Sequence, residues 1–264
     1  MNKQTQHIFS LSDAVDCMRQ IPDNSIQLII ADPPYNINKA TWDKIKDYTN
    51  WAAKWIEESY RILKLTGNLV IFGGLQYRNS KRGDIYELMH YIRHHTDFKL
   101  RNVIIWYYKS GTDARRFFSN RHEEILWFNK SNDYIFNLDA VREKYTPDTL
   151  KRYQKDKRLD PAKLEKGKNP TNVWEIPRLN RTALERVGHP TQKPSILIER
   201  IVKSMSNEGD MVLDPFCGSG VTFNVCVRVG RNSIICDNDP QTVLYIKRQQ
   251  ERLQSFSYEF HDTL

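Results

Sequence analysis

The run Asp32-Pro33-Pro34-Tyr35 sets an acid, two prolines and a phenol ring directly behind the apolar stretch Ile26–Ala31. Proline holds φ near about −65° and lacks a backbone donor, so this turn neither continues a strand ladder nor freely starts a helix. The Pro33 carbonyl is left open to accept a hydrogen bond from a ligand. A carboxylate, a free carbonyl and a ring face together suit a flat heterocycle carrying an exocyclic NH2. Taken without its neighbours, the tetrapeptide reads equally well as a stiff strand-ending turn with a half-buried tyrosine. Features elsewhere in the chain decide between the two readings.

The stretch Met211-Val212-Leu213-Asp214-Pro215-Phe216-Cys217-Gly218-Ser219-Gly220 reads as a strand, a sharp glycine loop and the start of a helix. Glycine there lets backbone approach a ligand closely at a helix amino terminus. Nineteen residues after Gly218 the next strand-like run ends at Asp237, which could accept from both hydroxyls of a ribose. A dinucleotide pattern needs a third small residue three positions beyond Gly220, where this chain has Phe223, and no Gly-Lys-Ser/Thr loop follows any strand. NAD and ATP are thereby disfavoured. A phosphate-free adenosine cofactor, S-adenosyl-L-methionine, fits better, and its cationic sulfonium tolerates Asp214. The bland alternative for Asp214 is a cap on the glycine turn.

These residues need a frame. Strand-like runs fall at His7–Ser10, Ile26–Ala31, Asn68–Phe72, Asn102–Tyr108, Glu124–Phe128, Met211–Asp214 and Ser233–Asp237. Helical periodicity falls at Asp13–Gln20 (with Ser12 as N-cap), Trp51–Leu63, Ser195–Met205 behind Pro194, Thr222–Val229 and Pro240–Leu253. Strands alternating with helices predict a mostly parallel sheet covered on both faces. Trp51 and Trp55 are expected in the core rather than as a stacking platform.

From 137 to 180 this rhythm breaks: the stretch is charged, holds Pro147, Pro161, Pro170 and Pro177, and shows no sustained period. It is expected to be an inserted target-recognition region between a catalytic part, 1–136, and a cofactor-binding part, 181–264, of one domain. Between Val141 and Lys168 ten Lys/Arg stand against five Asp/Glu, within a formal charge of +8 for 264 residues. Clustered cation suits a polyanion such as nucleic acid, or a solvated, mobile segment that orders on one. No run of about 18 apolar residues is present, and Met1–His7 has no apolar signal core. Cys17, Cys217, Cys226 and Cys236 form no CxxC pair. Metal sites and disulfide frameworks are disfavoured, and a reducing cytoplasm is expected.

Phe216-Cys217-Gly218-Ser219-Gly220 following Asp32-Pro33-Pro34-Tyr35 resembles the order found in amino-methylating DNA methyltransferases of the permuted β group, where DPPY precedes FxGxG. Ser12-Asp13 ahead of Ile21–Ser25, Gly67–Phe72, Arg115–Leu126, His189-Pro190-Thr191-Gln192-Lys193-Pro194 and Gly230–Asp237 are similar to further segments of that group. The resemblance implies a class I S-adenosylmethionine-dependent fold, Rossmann-like, with circularly permuted motif order. It implies that Asp214, Phe216, Gly218, Ser219 and Gly220 surround the cofactor, with Asp237 on its ribose and Asp13 near its adenine amino group. It places Thr191 and Lys193 at the methionine carboxylate, with a solvated flank as the alternative for Lys193.

Double-stranded DNA is the implied substrate; a cognate restriction endonuclease and a homodimer are candidate partners. Asp32 favours adenine N6 over cytosine N4, since the group tends to place Ser at that position for cytosine. C5 methylation is set aside because the Pro-Cys nucleophile of that other family is missing, and Cys217 is expected to be inert packing. Base readers are expected in the insertion, with Arg142, Arg152 and Arg158 as candidates. A catalytically silent nucleic-acid-binding module on the same fold is the competing class.

Overall fold

The computed structural model describes residues 4–36, 45–75, 84–111 and 113–262; Met1–Lys3 of the amino-terminal stretch lie outside them. A nine-stranded sheet runs in the order β6-β4-β5-β3-β2-β7-β8-β1-β9. The strands are β1 (Thr5–Leu11), β2 (Ile26–Ala31), β3 (Leu63–Gly73), β4 (Lys99–Tyr107), β5 (His122–Asn129), β6 (Val173–Glu175), β7 (Met211–Asp214), β8 (Asn232–Asp237) and β9 (Tyr258–His261). Only β5 runs against its neighbours, β3 and β4.

Side chains alternate across the sheet, as a period of two demands. Ile29, Leu69 and Ile71 pack beneath α1 (Ala14–Arg19), α2 (Tyr48–Ile62) and α3 (Ile85–His95). Leu28, Ile30, Val70 and Phe72 pack on the opposite face, beneath α6 (Ser195–Met205) and α7 (Val221–Arg228). A third cluster joins Phe9, Phe223 and Ile235 to Ile246 of α8 (Thr242–Arg252). The central strands are therefore apolar on both faces, which is why β2 reads as a nearly continuous apolar run, broken only by the buried Gln27.

Several expectations are corrected. The cap of α1 is Asp13, whose carboxylate accepts from Val15 N at 2.9 Å, and not Ser12. Helix α2 begins at Tyr48 behind Asp47 and ends before Leu63, which already belongs to β3. Helix α3, absent from the sequence-based set, is capped by Asp84 and buries Ile85, Leu88 and Ile92 at spacings of three and four. Strands β6 and β9 are absent from that set as well.

The charged stretch is more structured than its composition predicts. Pro147 and Pro161 open α4 (Pro147–Gln154) and α5 (Pro161–Lys166), as proline does in a first helical turn. Toward its carboxyl end the stretch joins the body: β6 pairs with β4, and Trp174 and Ile176 enter the core. The excursion proper closes earlier, where Glu143 and Lys168 form a β-bridge. Glu143 also accepts from Arg200 of α6 at 2.9 Å, tying the excursion to the body.

Candidate active site at the centre of the sheet

Strands β2 and β7 lie side by side, yet the chain leaves β2 for β3 on one side and β7 for β8 on the other. Such a reversal opens a crevice at the carboxyl ends of the strands. Asp32, Asp214 and Asp237 sit at the ends of β2, β7 and β8, three consecutive positions across that crevice. Two cavities occupy it.

The smaller, about 240 Å³, is lined by Asp13, Asp32, Pro34, Thr191, Lys193, Asp214, Phe216, Gly218, Ser219 and Asp237 among others. It thus gathers most of the residues expected at a cofactor. Gly220 stands behind the loop as the cap of α7, with φ +70°. Pro33 is not among the lining residues of either cavity. Trp55 is core, as expected, but Trp51 is half-buried and lines this cavity, its ring 5.8 Å from that of Phe216.

The loop is held by its acids. Asp237 accepts from Gly218 N at 2.8 Å and from Asp239 N at 2.9 Å. Asp214 accepts from Phe216 N at 3.2 Å and from the Thr222 hydroxyl at 2.5 Å, so the cap reading of Asp214 holds alongside its place in the cavity. Gly218 has φ +43°, and a Cβ there would press on the His189 ring at 3.1 Å. Burial pushes the Asp214 carboxyl up to about 7 despite those two donors. Burial raises Asp237 as well, against the pull of its two backbone donors. Burial and the neighbouring Asp237 and Asp214 push the Cys217 thiol far above its ordinary range, which leaves it unreactive.

These residues fit S-adenosyl-L-methionine. Asp237 keeps lone pairs for two ribose hydroxyls after its backbone bonds, since a carboxylate has about four acceptor sites. Trp51 and Phe216 offer flat apolar walls, and Asp214 offers negative charge to a sulfonium. Among the described lining residues Lys193 is the one Lys or Arg, and its charge is already engaged.

The second cavity, about 430 Å³, is lined by Tyr35, Trp106, Glu123, Arg178, Asn180 and Arg186, and shares Asp32, Thr191, Gln192 and Lys193 with the first. Lys193 is buried, not solvated. Its Nζ lies 3.0 and 2.9 Å from the two Asp32 oxygens, 3.2 Å from the Tyr35 hydroxyl and 3.5 Å from Glu123. Lys193, which the resemblance placed at the methionine carboxylate, thus borders the smaller cavity with its ammonium bonded to Asp32. Burial opposes its charge, but Asp32 and Glu123 outweigh that and push it up to about 12. The Tyr35 hydroxyl donates toward Asp32 at 2.8 Å and Glu123 at 3.2 Å, and Tyr48 donates to the Pro34 carbonyl at 2.7 Å, bracing the turn.

Glu123 and His189 received no role from the sequence. The signal for Glu123 was its place in His122-Glu123-Glu124, three polar residues at the head of an otherwise buried strand. Arg142, a candidate base reader, is instead a tie: it donates to Asp139, Asn169 and the Gly167 carbonyl. Arg158 is exposed and paired with Asp156 at 2.7 Å, while Arg152 lies over the Tyr153 ring.

A switch-point cavity for a phosphate-free nucleoside, abutting a proline-stiffened acid, defines a class I methyltransferase. The chain belongs to the DNA methylase family N6_N4_Mtase, whose model it matches over residues 26–248. It is 37% identical to the type II methyltransferase M.HpaI of Haemophilus parainfluenzae, over 92% of this chain and 73% of that protein. It is 33% identical to the DNA adenine methyltransferase YhdJ of Escherichia coli (strain K12), over 93% of this chain and 82% of that one. Among solved structures, the Thermus thermophilus protein TTHA0409 complexed with S-adenosyl-L-methionine superposes with a TM-score of 0.66 at 25% identity, covering 98% of this chain and 99% of that one. Among the described residues no helix is long and apolar enough to cross a membrane, and no three His, Cys, Asp or Glu converge as metal ligands.

Proposed function

We propose that this DNA methyltransferase acts with S-adenosyl-L-methionine on the N6 amino group of an adenine turned out of duplex DNA, in a restriction–modification setting. The observation that carries the reading is the shared wall: Asp32 and Lys193 border both cavities. A donor in the smaller cavity and a base in the larger one would meet at Asp32. When bound, the cofactor supplies an electrophilic methyl carbon on a cationic sulfur.

The amino nitrogen of a nucleobase is a poor nucleophile because its lone pair is delocalised into the ring. Asp32 and the Pro33 carbonyl would accept its two hydrogens and favour a tetrahedral nitrogen with an exposed pair. Asp32, which borders both cavities, would then stand where positive charge develops and act as a preorganised electrostatic stabiliser, with the Pro33 carbonyl beside it as the second acceptor. Holding nitrogen and methyl carbon in line supplies the remainder. Tyr35 would stack on the base, a contact worth about 1–3 kcal/mol. That helps offset base extrusion, which costs roughly a few kcal/mol.

Adenine rather than cytosine is supported by aspartate at position 32 and by the relative named as an adenine methyltransferase. The type II name of M.HpaI supports a partner endonuclease. Sequencing with methylation detection on DNA from cells expressing the chain tests the reading. N6-methyladenine at one recurrent sequence is expected; N4-methylcytosine would correct the base, and unmodified DNA would remove the proposal.

A further inference from the structure

Tyr35 offers one hydroxyl proton to two carboxylates. Its oxygen lies 2.8 Å from Asp32 Oδ1 and 3.2 Å from Glu123 Oε2, and accepts from Lys193 Nζ at 3.2 Å. A phenol has a single donor, so whichever acid it serves, the other stands within reach of the same proton. The three partners arrive from the end of β2, the head of β5 and the lead-in to α6, which lie far apart in the chain. Asp32 borders both cavities, whereas Glu123 borders only the larger one. With base and donor in place Asp32 is sandwiched between them, and Glu123 is one hydroxyl away.

Methylation of an amino group leaves a proton to be disposed of. A nitrogen–carbon bond forms from the nitrogen lone pair, the carbon–sulfur bond breaks with its electrons going to sulfur, and the nitrogen becomes cationic until an N–H bond yields its proton. We infer that Tyr35 and Glu123 form a proton relay for this step. Asp32 takes the proton from the methylated nitrogen and passes it to the Tyr35 oxygen as the Tyr35 proton moves to Glu123. Glu123 then releases it to water in the larger cavity. Asp32 and Tyr35 end as they began, and the net change is one proton delivered outward.

Lys193 keeps its charge throughout, 2.9 Å from Asp32 and 3.5 Å from Glu123. Burial and the two acids raise the Tyr35 hydroxyl well above its ordinary value, so Tyr35 conveys a proton rather than yielding its own. Besides these, the charged and titratable groups near Glu123 are Tyr108, Arg178, and Glu124 with its partner His122 at 3.3 Å. The relay rests on the amino-group transfer proposed above. The competing role for Glu123 is a mere counter-charge that holds Lys193 in place.

Single-turnover transfer of a labelled methyl group to duplex DNA, measured across pH, separates the two. Glu123→Gln, which keeps the shape and an acceptor for Lys193, and Tyr35→Phe, which keeps the ring, are each expected to slow turnover about a hundredfold. Their affinities for DNA and cofactor should stay unchanged. The double variant should be no slower than either single one, and acetate should partly restore Glu123→Ala. Wild-type rates and pH profile in Glu123→Gln, or additive losses in the double variant, would overturn the relay while leaving the methyltransferase reading intact. A wild-type chain that methylates no amino group would remove both.

Discussion

The two cavities that meet at Asp32 hold their charge in opposite ways. On the glycine-loop side, Asp214 and Asp237 have no ion-pair partner among the described residues; their oxygens accept from backbone N–H groups and from Thr222. On the other side, Asp32 and Glu123 are both joined to Lys193. Uncompensated buried acids create a site that gains from receiving a cation, which suits a sulfonium. Compensated acids form a rigid network whose charges are already satisfied and whose acceptors stay aimed, which suits a neutral base that becomes cationic only during reaction. One side is prepared to bind charge and the other to tolerate its appearance.

Breaking the compensated side should have the largest effect. Asp32→Ala is expected to lower methyl transfer by at least about 10²–10³-fold while the chain still retains labelled cofactor. It also leaves Lys193 buried beside Glu123 alone, and loss of one partner of a buried pair costs about 3–5 kcal/mol in a denaturant titration. Retained turnover would take Asp32 out of the chemistry. The same network sets an alkaline limit. Lys193 is raised from its ordinary 10.5 to about 12, so the stability it contributes is complete below about 10.5 and lost as pH climbs through about 12.

The uncompensated side makes the reverse prediction. Asp214 is raised from 3.8 to about 7, so its contribution is complete below about 4 and disappears as pH rises through about 7. Urea midpoints of the wild type should therefore fall across that window relative to Asp214→Asn. Coincident curves would mean that Asp214 ionises in the fold as freely as in the unfolded chain. A smaller test concerns the loop itself. Gly220→Ala meets both a left-handed φ and the Ile246 side chain, whereas Gly209→Ala, at φ +81°, meets open space. Gly209→Ala should cost only the backbone term, about 1–2 kcal/mol, and Gly220→Ala more, with weakened cofactor retention.

How far the sequence reached follows the same division. The ends of β2, β7 and β8 were legible because each is a short apolar run closed by an acid, with a proline or glycine close by in two of the three, a local pattern. Asp214 bonds Phe216 N and the Thr222 hydroxyl, and Asp237 bonds Gly218 N nineteen residues back, so these contacts stay within one strand–helix–strand stretch of the sequence. The resemblance brought Lys193 to the site, but its bond to Asp32 and the bond between Tyr35 and Glu123 were not legible, since these partners stand 161 and 88 residues apart. A lysine in a charged flank looks solvated until the fold closes over it. Strand β6 escaped for another reason: its three residues lie inside a basic stretch, and only the exposed edge of β4 makes them a strand. The prolines at 147 and 161 were misread because proline both breaks a helix and begins one.

The smallest expected effects concern which cations meet DNA, and they sharpen the same contrast by asking whether the base cavity or the basic excursion faces the duplex. Arg178, Arg181 and Arg186 line the mouth of the base cavity, while Arg152, Lys155 and Arg158 lie on or after α4, a helix with no buried residue. Removing one cation from a phosphate should reduce the slope of log affinity against log salt by about 0.9. Reversing the charges of Arg152, Lys155 and Arg158 is expected to flatten that slope and leave the single-turnover rate at saturating DNA unchanged. Reversing Arg181 should flatten it less, by a single phosphate's share, but also slow turnover if, as proposed, a cation lining the larger cavity holds the backbone of the extruded nucleotide. Equal slopes for wild type and the triple reversal would detach the excursion from the duplex and leave the cavity rim as the anchoring surface.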